Sequence, residues 1–309
     1  MPVIAIDEED IPAARALRVE FAKFWSGEAG EPREVYDRFI AATPVTADAT
    51  VETAGGACPG VWVHPADART STAMLFLHGG GYGLGSASAY VGLVSQLASR
   101  ARISAFVLDY PLAPEATLPD ALHMAGRALA HVGARYGAVV VAGDSAGGGL
   151  SLATVMQART DRVPVAACVV FSPWTDLSLS SPSVTENAVG DPLLDPAYLR
   201  ASAAAYAGAC DVRDPRASPL FADMNGLPPM LLQVGSDEIL LDDSRRFAEA
   251  VAGAGGQVTL EVWQGMHHVF QLNVAQLKSA RRALDRAAAF IAGSNGSESG
   301  SRAEILGEM

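Results

Sequence analysis

Ser145 stands between glycines in the string Gly143-Asp144-Ser145-Ala146-Gly147, directly after an apolar, β-branched run at 138–142 and before a helical pattern that reaches Arg159. Strand, sharp turn and helix in that order lift a serine hydroxyl clear of a sheet edge, and the flanking glycines leave room for the strained turn. Such a serine is placed for nucleophilic acyl transfer. Upstream, His78-Gly79-Gly80-Gly81 follows a second apolar run at 72–77. A glycine loop can turn several backbone N–H groups toward one point, as the oxyanion of acyl transfer requires. A phosphate cradle would use similar glycines. Neither Gly-Lys-Ser/Thr nor a Gly-x-Gly-x-x-Gly with an acidic partner about 20 residues on accompanies these.

A serine nucleophile needs a base, and on a strand-turn-helix elbow the acid and then the histidine follow it in chain order. Of the six histidines only His267 and His268 lie beyond Ser145, both in Gly265-Met266-His267-His268-Val269-Phe270, just after the run at 258–263. His64, His78, His123 and His131 read as structural or surface residues, with His78 suited to bracing the glycine loop. The acid is expected at the end of a strand between elbow and histidine, and Gly235-Ser236-Asp237-Glu238 follows the run at 230–234. Asp237 leads, with Glu238, Asp242 and Asp243 as rivals; the alternative is that this cluster only caps the helix starting near Ile239.

The elements that must position these residues are legible as short apolar runs at 72–77, 103–108, 138–142, 165–171, 230–234 and 258–263, with helical patterns between them. That alternation signals an α/β domain with a mostly parallel central sheet flanked by helices. Tyr90, Leu93, Val94, Leu97, Ala98 and Ala101 form one apolar helical stripe, and Leu277, Ala280, Leu284, Ala287 and Ile291 form another. Gly55 and Gly56 divide two strand-like pieces over 51–63, so an antiparallel hairpin is expected to open the sheet. Two segments break the rhythm. A helix over 11–25 carries Leu17, Phe21, Phe24 and Trp25 on one side, and the proline-rich stretch 177–225 holds one helical piece at 196–206. Together they are expected to cap one edge of the sheet. The organisation is then an N-terminal cap part at 1–45, a catalytic domain at 46–292 with a cap insertion around 177–225, and a flexible Gly/Ser-rich tail at 293–309.

With 22 basic and 34 acidic residues among 309, the net charge is 22 − 34 = −12, and no basic cluster offers a surface to nucleic acid or anionic lipid. A small or neutral molecule is the expected partner. Cys58, Cys168 and Cys210 are odd in number and far apart, which suits reduced thiols rather than a disulfide framework or zinc cluster. The acidic first ten residues do not read as a secretory signal, and no run of about 18 apolar residues could span a bilayer. A cytoplasmic protein is expected, with a homodimer as one possible state.

The motifs resemble those of the hormone-sensitive lipase family of carboxylesterases, also called bacterial family IV. The matching strings, in order, are His78-Gly79-Gly80-Gly81-Tyr82, Gly143-Asp144-Ser145-Ala146-Gly147-Gly148, Asp237-Glu238-Ile239-Leu240 and Gly265-Met266-His267-His268-Val269-Phe270. The resemblance implies the α/β-hydrolase fold with a helical cap, and the catalytic residues Ser145, Asp237 and His268. It implies oxyanion donors at the N–H groups of Gly80, Gly81 and Ala146, and no metal or organic cofactor. The family histidine stands three residues after the glycine of its motif, which selects His268 over His267. Tyr82, Phe21, Phe24 and Trp25 are the expected substrate-binding residues. One departure is Pro111, in Tyr110-Pro111-Leu112-Ala113-Pro114-Glu115, where the family has arginine. The activity implied is hydrolysis of short-to-medium acyl esters through an acyl-enzyme, with a lactone hydrolase or acetylhydrolase as the alternative. Plant hormone receptors resembling this family have lost the catalytic histidine, whereas His268 is present here, so a non-catalytic receptor is the remote alternative.

Overall fold

Apolar runs that alternate with helices become, in the computed structural model, strands buried on both faces of one sheet. The structure describes residues 3–294. The tail expected over 293–309 lies outside the described residues, apart from its first two, which belong to the last helix. The strands are β1 (Val3–Ile4), β2 (Ala49–Ala54), β3 (Gly60–Pro65), β4 (Arg69–Leu77), β5 (Ile103–Leu108), β6 (Ala138–Asp144), β7 (Ala167–Phe171), β8 (Met230–Gly235) and β9 (Val258–Trp263). They lie in the order β1-β9-β8-β7-β6-β4-β5-β3-β2. Pairing is parallel from β1 through β5 and antiparallel at β5–β3 and β3–β2, so the expected hairpin closes one edge. The sequence reading did not anticipate β1, which adds two residues to the far edge beside β9.

Successive side chains of a strand point to opposite faces. In β4, Ala73, Leu75 and Leu77 enter one core while Met74 and Phe76 enter the other, which is why the run is apolar without interruption. The helices are α1 (Asp10–Gly27), α2 (Pro32–Ile40), α3 (Val91–Ala101), α4 (Asp120–Tyr136), α5 (Ser145–Thr160), α6 (Ser183–Glu186), α7 (Pro196–Ala207), α8 (Leu241–Gly253) and α9 (Lys278–Ser294). Helices α4, α5 and α8 fill one face with Leu129, Leu150 and Phe247. The other face takes α3 and α9 through the two stripes read from sequence, joined by Leu17 and Phe21 of α1. Among the described residues, no helix is long and apolar enough to cross a membrane.

The N-terminal segment is docked rather than free. The Asp10 carboxylate accepts from the N–H groups of Lys278 and Ser279 at 2.8 and 2.6 Å, satisfying open donors at the start of α9. Helix α2 was missed from sequence, although Pro32 in its first turn is a start signal, with φ preset and no N–H to leave unpaired.

Chain direction across the sheet reverses at β4: β5 is laid on one side of it and β6 on the other. The carboxyl ends of β4 and β6 are therefore neighbours, with Leu77 opposite Gly143, and that crevice is where open α/β sheets bind ligands. The approach is close. A Cβ on Gly147, in the first turn of α5, would lie 2.1 Å from the Leu77 carbonyl oxygen and 2.2 Å from that of His78. Gly147→Ala should force α5 off β4 and lower stability by about 2 kcal/mol or more, visible as a lowered thermal midpoint. An unchanged midpoint would mean that the helix and the glycine loop separate without cost.

Candidate active site

Ser145 is the first residue of α5 and holds φ at +52°, a left-handed conformation that costs a non-glycine residue of order 1 kcal/mol or more. The strain turns its side chain up between the glycine loop and the loop after β9. Ser145 is 7 % exposed. Its Oγ lies 2.9 Å from His268 Nε2, and His268 Nδ1 lies 3.1 Å from Glu238 Oε1. The second oxygen of Glu238 accepts from the Ser172 hydroxyl at 2.7 Å and from the Gly235 N–H at 3.0 Å. Ser172 in turn accepts from the Val269 N–H at 3.1 Å, so one hydroxyl at the end of β7 ties together the loops that carry acid and base.

The structure departs here from the expected acid: the carboxylate that meets His268 is not Asp237 but its neighbour Glu238. Asp237 points outward and its side chain is 40 % exposed; its carboxylate pairs with Arg18 of α1 at 2.6 Å and accepts from the Ser236 hydroxyl at 2.7 Å. Glu238 is fully buried. The cause is the tight passage after β8. The Asp237 N–H donates to the Met266 carbonyl, and a Cβ on Gly235 would lie 2.2 Å from that same oxygen. This turn carries the Glu238 side chain inward to His268 and leaves Asp237 at the surface beside Arg18. The other rivals lie elsewhere: Asp243 accepts from the N–H groups of Thr175 and Asp176, and Asp242 from the Ser183 N–H.

Burial alone would lower the pKa of His268, but the Glu238 carboxylate beside it, aided by Asp191 and Asp144, holds it above the ordinary 6.5. His267 behaves oppositely. Burial pushes it down to about 4, its Nε2 meets Asn273 Oδ1 at 2.9 Å, and its ring packs edge-on against Phe21 at 5.0 Å. It is a structural neighbour that faces away from Ser145.

The glycine loop is pinned from below. Asp144 accepts from the Gly79 N–H and from the Tyr90 hydroxyl, both at 2.9 Å, and burial pushes its carboxyl up to about 7. Tyr90 and Tyr36 share a hydrogen bond of 2.9 Å. His78 braces the loop as expected, with Nδ1 2.8 Å from the Gly79 carbonyl and its ring stacked on Tyr110 at 4.4 Å. The loop containing Pro111 receives a guanidinium from α2 instead: Arg33 donates to the carbonyls of Gly83 and Ala113 and pairs with Glu115.

Above Ser145 lies a cavity of about 240 Å³ bounded by Gly80 and Gly81, by Trp25, Tyr36 and Phe39 of the N-terminal helices, and by leucines of the 177–225 insertion. Both cap pieces thus reach the site. Of the four expected substrate-binding residues, only Trp25 lines this cavity. Tyr82 is buried beneath it, stacked on Tyr206 of α7 at 3.7 Å and 4°, and works as a pillar between glycine loop and cap. Phe21 is buried against Phe39 and His267, and Phe24 turns to a second cavity. Tyr36, Phe39, Leu193, Leu194, Tyr198 and Leu199 line the site without having been singled out. The spacing of Val35 and Phe39 after Pro32 was the available signal for the first two.

The fold and this geometry define an α/β hydrolase. Residues 74–272 match the family model described as "alpha/beta hydrolase fold". An acetyl-hydrolase of Streptomyces hygroscopicus is 42% identical over 242 residues, covering 76% of this chain and 80% of that protein. An esterase of Acinetobacter venetianus is 38% identical, covering 73% and 76%. Among solved structures, an esterase from the bacterial hormone-sensitive lipase family superposes with a TM-score of 0.86 at 34% identity, covering 92% of this chain and 99% of that one. A hormone-sensitive lipase from a metagenome library gives 0.84 at 32%, covering 94% and 99%. The chain belongs to the hormone-sensitive lipase family and is a carboxylic ester hydrolase.

The two adjacent carboxylates separate by mutation. Glu238→Gln should lower kcat by about 10³-fold or more, because the imidazole loses both its orienting acceptor and its counter-charge. Asp237→Asn should cost less than about tenfold. Steady-state kinetics on a p-nitrophenyl ester decide it, and the reverse order would reject the assignment.

Proposed function

We propose that the protein hydrolyses esters with short-to-medium acyl chains through a covalent acyl-enzyme on Ser145. The carrying observation is the unbroken relay from Ser145 Oγ through His268 to the buried Glu238. Neutral His268 takes the Ser145 proton as the oxygen attacks the ester carbonyl. Negative charge then develops on the carbonyl oxygen, where the N–H groups of Gly80, Gly81 and Ala146 supply the oxyanion hole. Glu238 holds the Nδ1–H tautomer and stabilises the imidazolium. His268 next protonates the departing alcohol. Water, activated by the same imidazole, releases the acid and restores Ser145.

The cavity supports small substrates. Its walls are mainly apolar side chains, several of them from the N-terminal helices and the 177–225 insertion, and its volume of about 240 Å³ favours a compact ester over an emulsified lipid. The name of the Streptomyces relative favours acetyl esters as a second reading within the same mechanism. A receptor reading has no support from a site in which base, acid and nucleophile are hydrogen-bonded in series.

Ser145→Ala should lower turnover of p-nitrophenyl acetate and butyrate by about 10³-fold or more with no change in the melting curve. A variant with most of its activity would remove the serine mechanism. The pH profile is a second check. Only neutral His268 accepts the serine proton, and its pKa is raised above 6.5, so kcat/KM should rise with pH and reach half its plateau above pH 6.5. A half-plateau well below that value would show that the carboxylates do not govern the base.

A further inference from the structure

The residues expected to form the substrate pocket, Phe21 and Phe24, instead line a second cavity of about 190 Å³ together with Leu17. It stands directly behind the first. Phe39 of α2 and Leu272, in the short turn after His268, bound both cavities. One aromatic ring and one leucine are thus shared walls. Both residues are held in place by their neighbours. The Phe39 ring lies 5.4, 5.3 and 5.2 Å from the rings of Phe21, Phe24 and Trp25. The Thr43 hydroxyl donates to the Leu272 carbonyl at 2.9 Å, which locks the end of α2 to the turn. A wall fixed at both sides should limit chain length sharply instead of yielding by degrees.

The side of the site is set by His268. The base must reach the leaving oxygen, and Val269 and Leu272 follow it along one short turn and line the same cavity. The wall at Leu272 therefore stands on the imidazole's side of the scissile bond, where the departing alcohol goes. Beyond the wall the apolar lining is Leu17, Phe21, Phe24 and Ala42, beside the polar Thr43 and Asn273, with exposed Glu20, Arg38 and Gln276 at the outer side. That chemistry suits a linear hydrocarbon chain running out toward water.

We infer that Phe39 and Leu272 are specificity-determining residues: they form a partition that sets the longest alcohol portion the enzyme accepts, and the cavity behind them would take a longer alkyl chain once the partition is opened. The inference rests on Ser145 and His268 acting as proposed above.

Two substrate series separate the halves of the ester. Alkyl acetates from ethyl to decyl vary the alcohol; p-nitrophenyl esters from acetate to decanoate vary the acid. In Phe39→Ala and Leu272→Ala the ratio of kcat/KM for decyl over ethyl acetate should rise by about tenfold or more, the scale of a hydrophobic pocket's discrimination between chain lengths. The decanoate-to-acetate ratio of the other series should stay within about threefold of wild type. Phe39→Trp, which thickens the wall without leaving a hole, should move the alkyl ratio the other way. Each variant is titrated with an organophosphonate that labels Ser145, so only folded, competent protein is compared. If Phe39→Ala loses its fold through the aromatic cluster, Leu272→Ala and Phe39→Trp carry the test.

Labelled variants with unchanged ratios in both series would overturn the partition. A shift in the acyl series instead would overturn its assignment to the alcohol. Wild-type protein that neither labels nor turns over either series would reject the serine reading itself, and the inference with it.

Discussion

The close passage of α5 over the end of β4 is the constraint on which the rest depends. Gly147 has no side chain because the carbonyls of Leu77 and His78 occupy its place, and only with α5 that low does the glycine loop lie beside Ser145. Asp144 adds a polar lock to the steric one, since its carboxylate takes the Gly79 N–H from the loop while its own backbone leads into the serine. Ser145 and the glycine loop are thus held together from two sides. The strain at Ser145, with φ at +52°, persists because both sides of the turn are held.

A second dependence is electrostatic. His268 sits in a buried site where an isolated imidazole would lose its proton affinity, as His267 next to it does. The difference between the two rings is the carboxylates around His268, Glu238 first and then Asp191 and Asp144, where His267 has Arg18 near it. Glu238 can serve because its other oxygen is satisfied by Ser172 and Gly235, which keeps a buried charge from being half-paired. Three strand ends meet there: Ser172 follows β7, Glu238 follows β8 and His268 follows β9. None of these groups is close to another in the chain.

The N-terminal helices belong to the site as much as the strands do. Asp10 caps α9, Arg18 reaches Asp237 and the Gly190 carbonyl, Arg33 binds the loop beside the glycines, and Phe21 packs on His267. The N-terminal segment is therefore anchored by charge and aromatic contact at several points on the rest of the fold. Asp237, adjacent to the buried acid, is one of those anchors.

Local order in the chain was enough to determine the strand pattern, the elbow, the glycine loop and the pair of candidate histidines, because each depends on residues within about ten positions of one another. The runs at 103–108 and 258–263 coincide with β5 and β9, and the others differ from their strands by a few terminal residues. The family resemblance pointed to His268, whose motif counts residues along a single loop, and that is the histidine the structure sets 2.9 Å from Ser145. It pointed to Asp237, whereas Glu238 is the carboxylate beside His268, because two adjacent carboxylates are equivalent in a motif and distinct only once the turn after β8 sends one inward. The same limit explains the pocket. Phe21, Phe24 and Trp25 share one side of α1 in sequence, yet α2, unseen in the pattern, slides Phe39 between them and Ser145 and leaves only Trp25 at the cavity. Spacing along a chain determines which side chains share a face. Which of them meets the nucleophile is decided by what packs between, and that exists only in three dimensions.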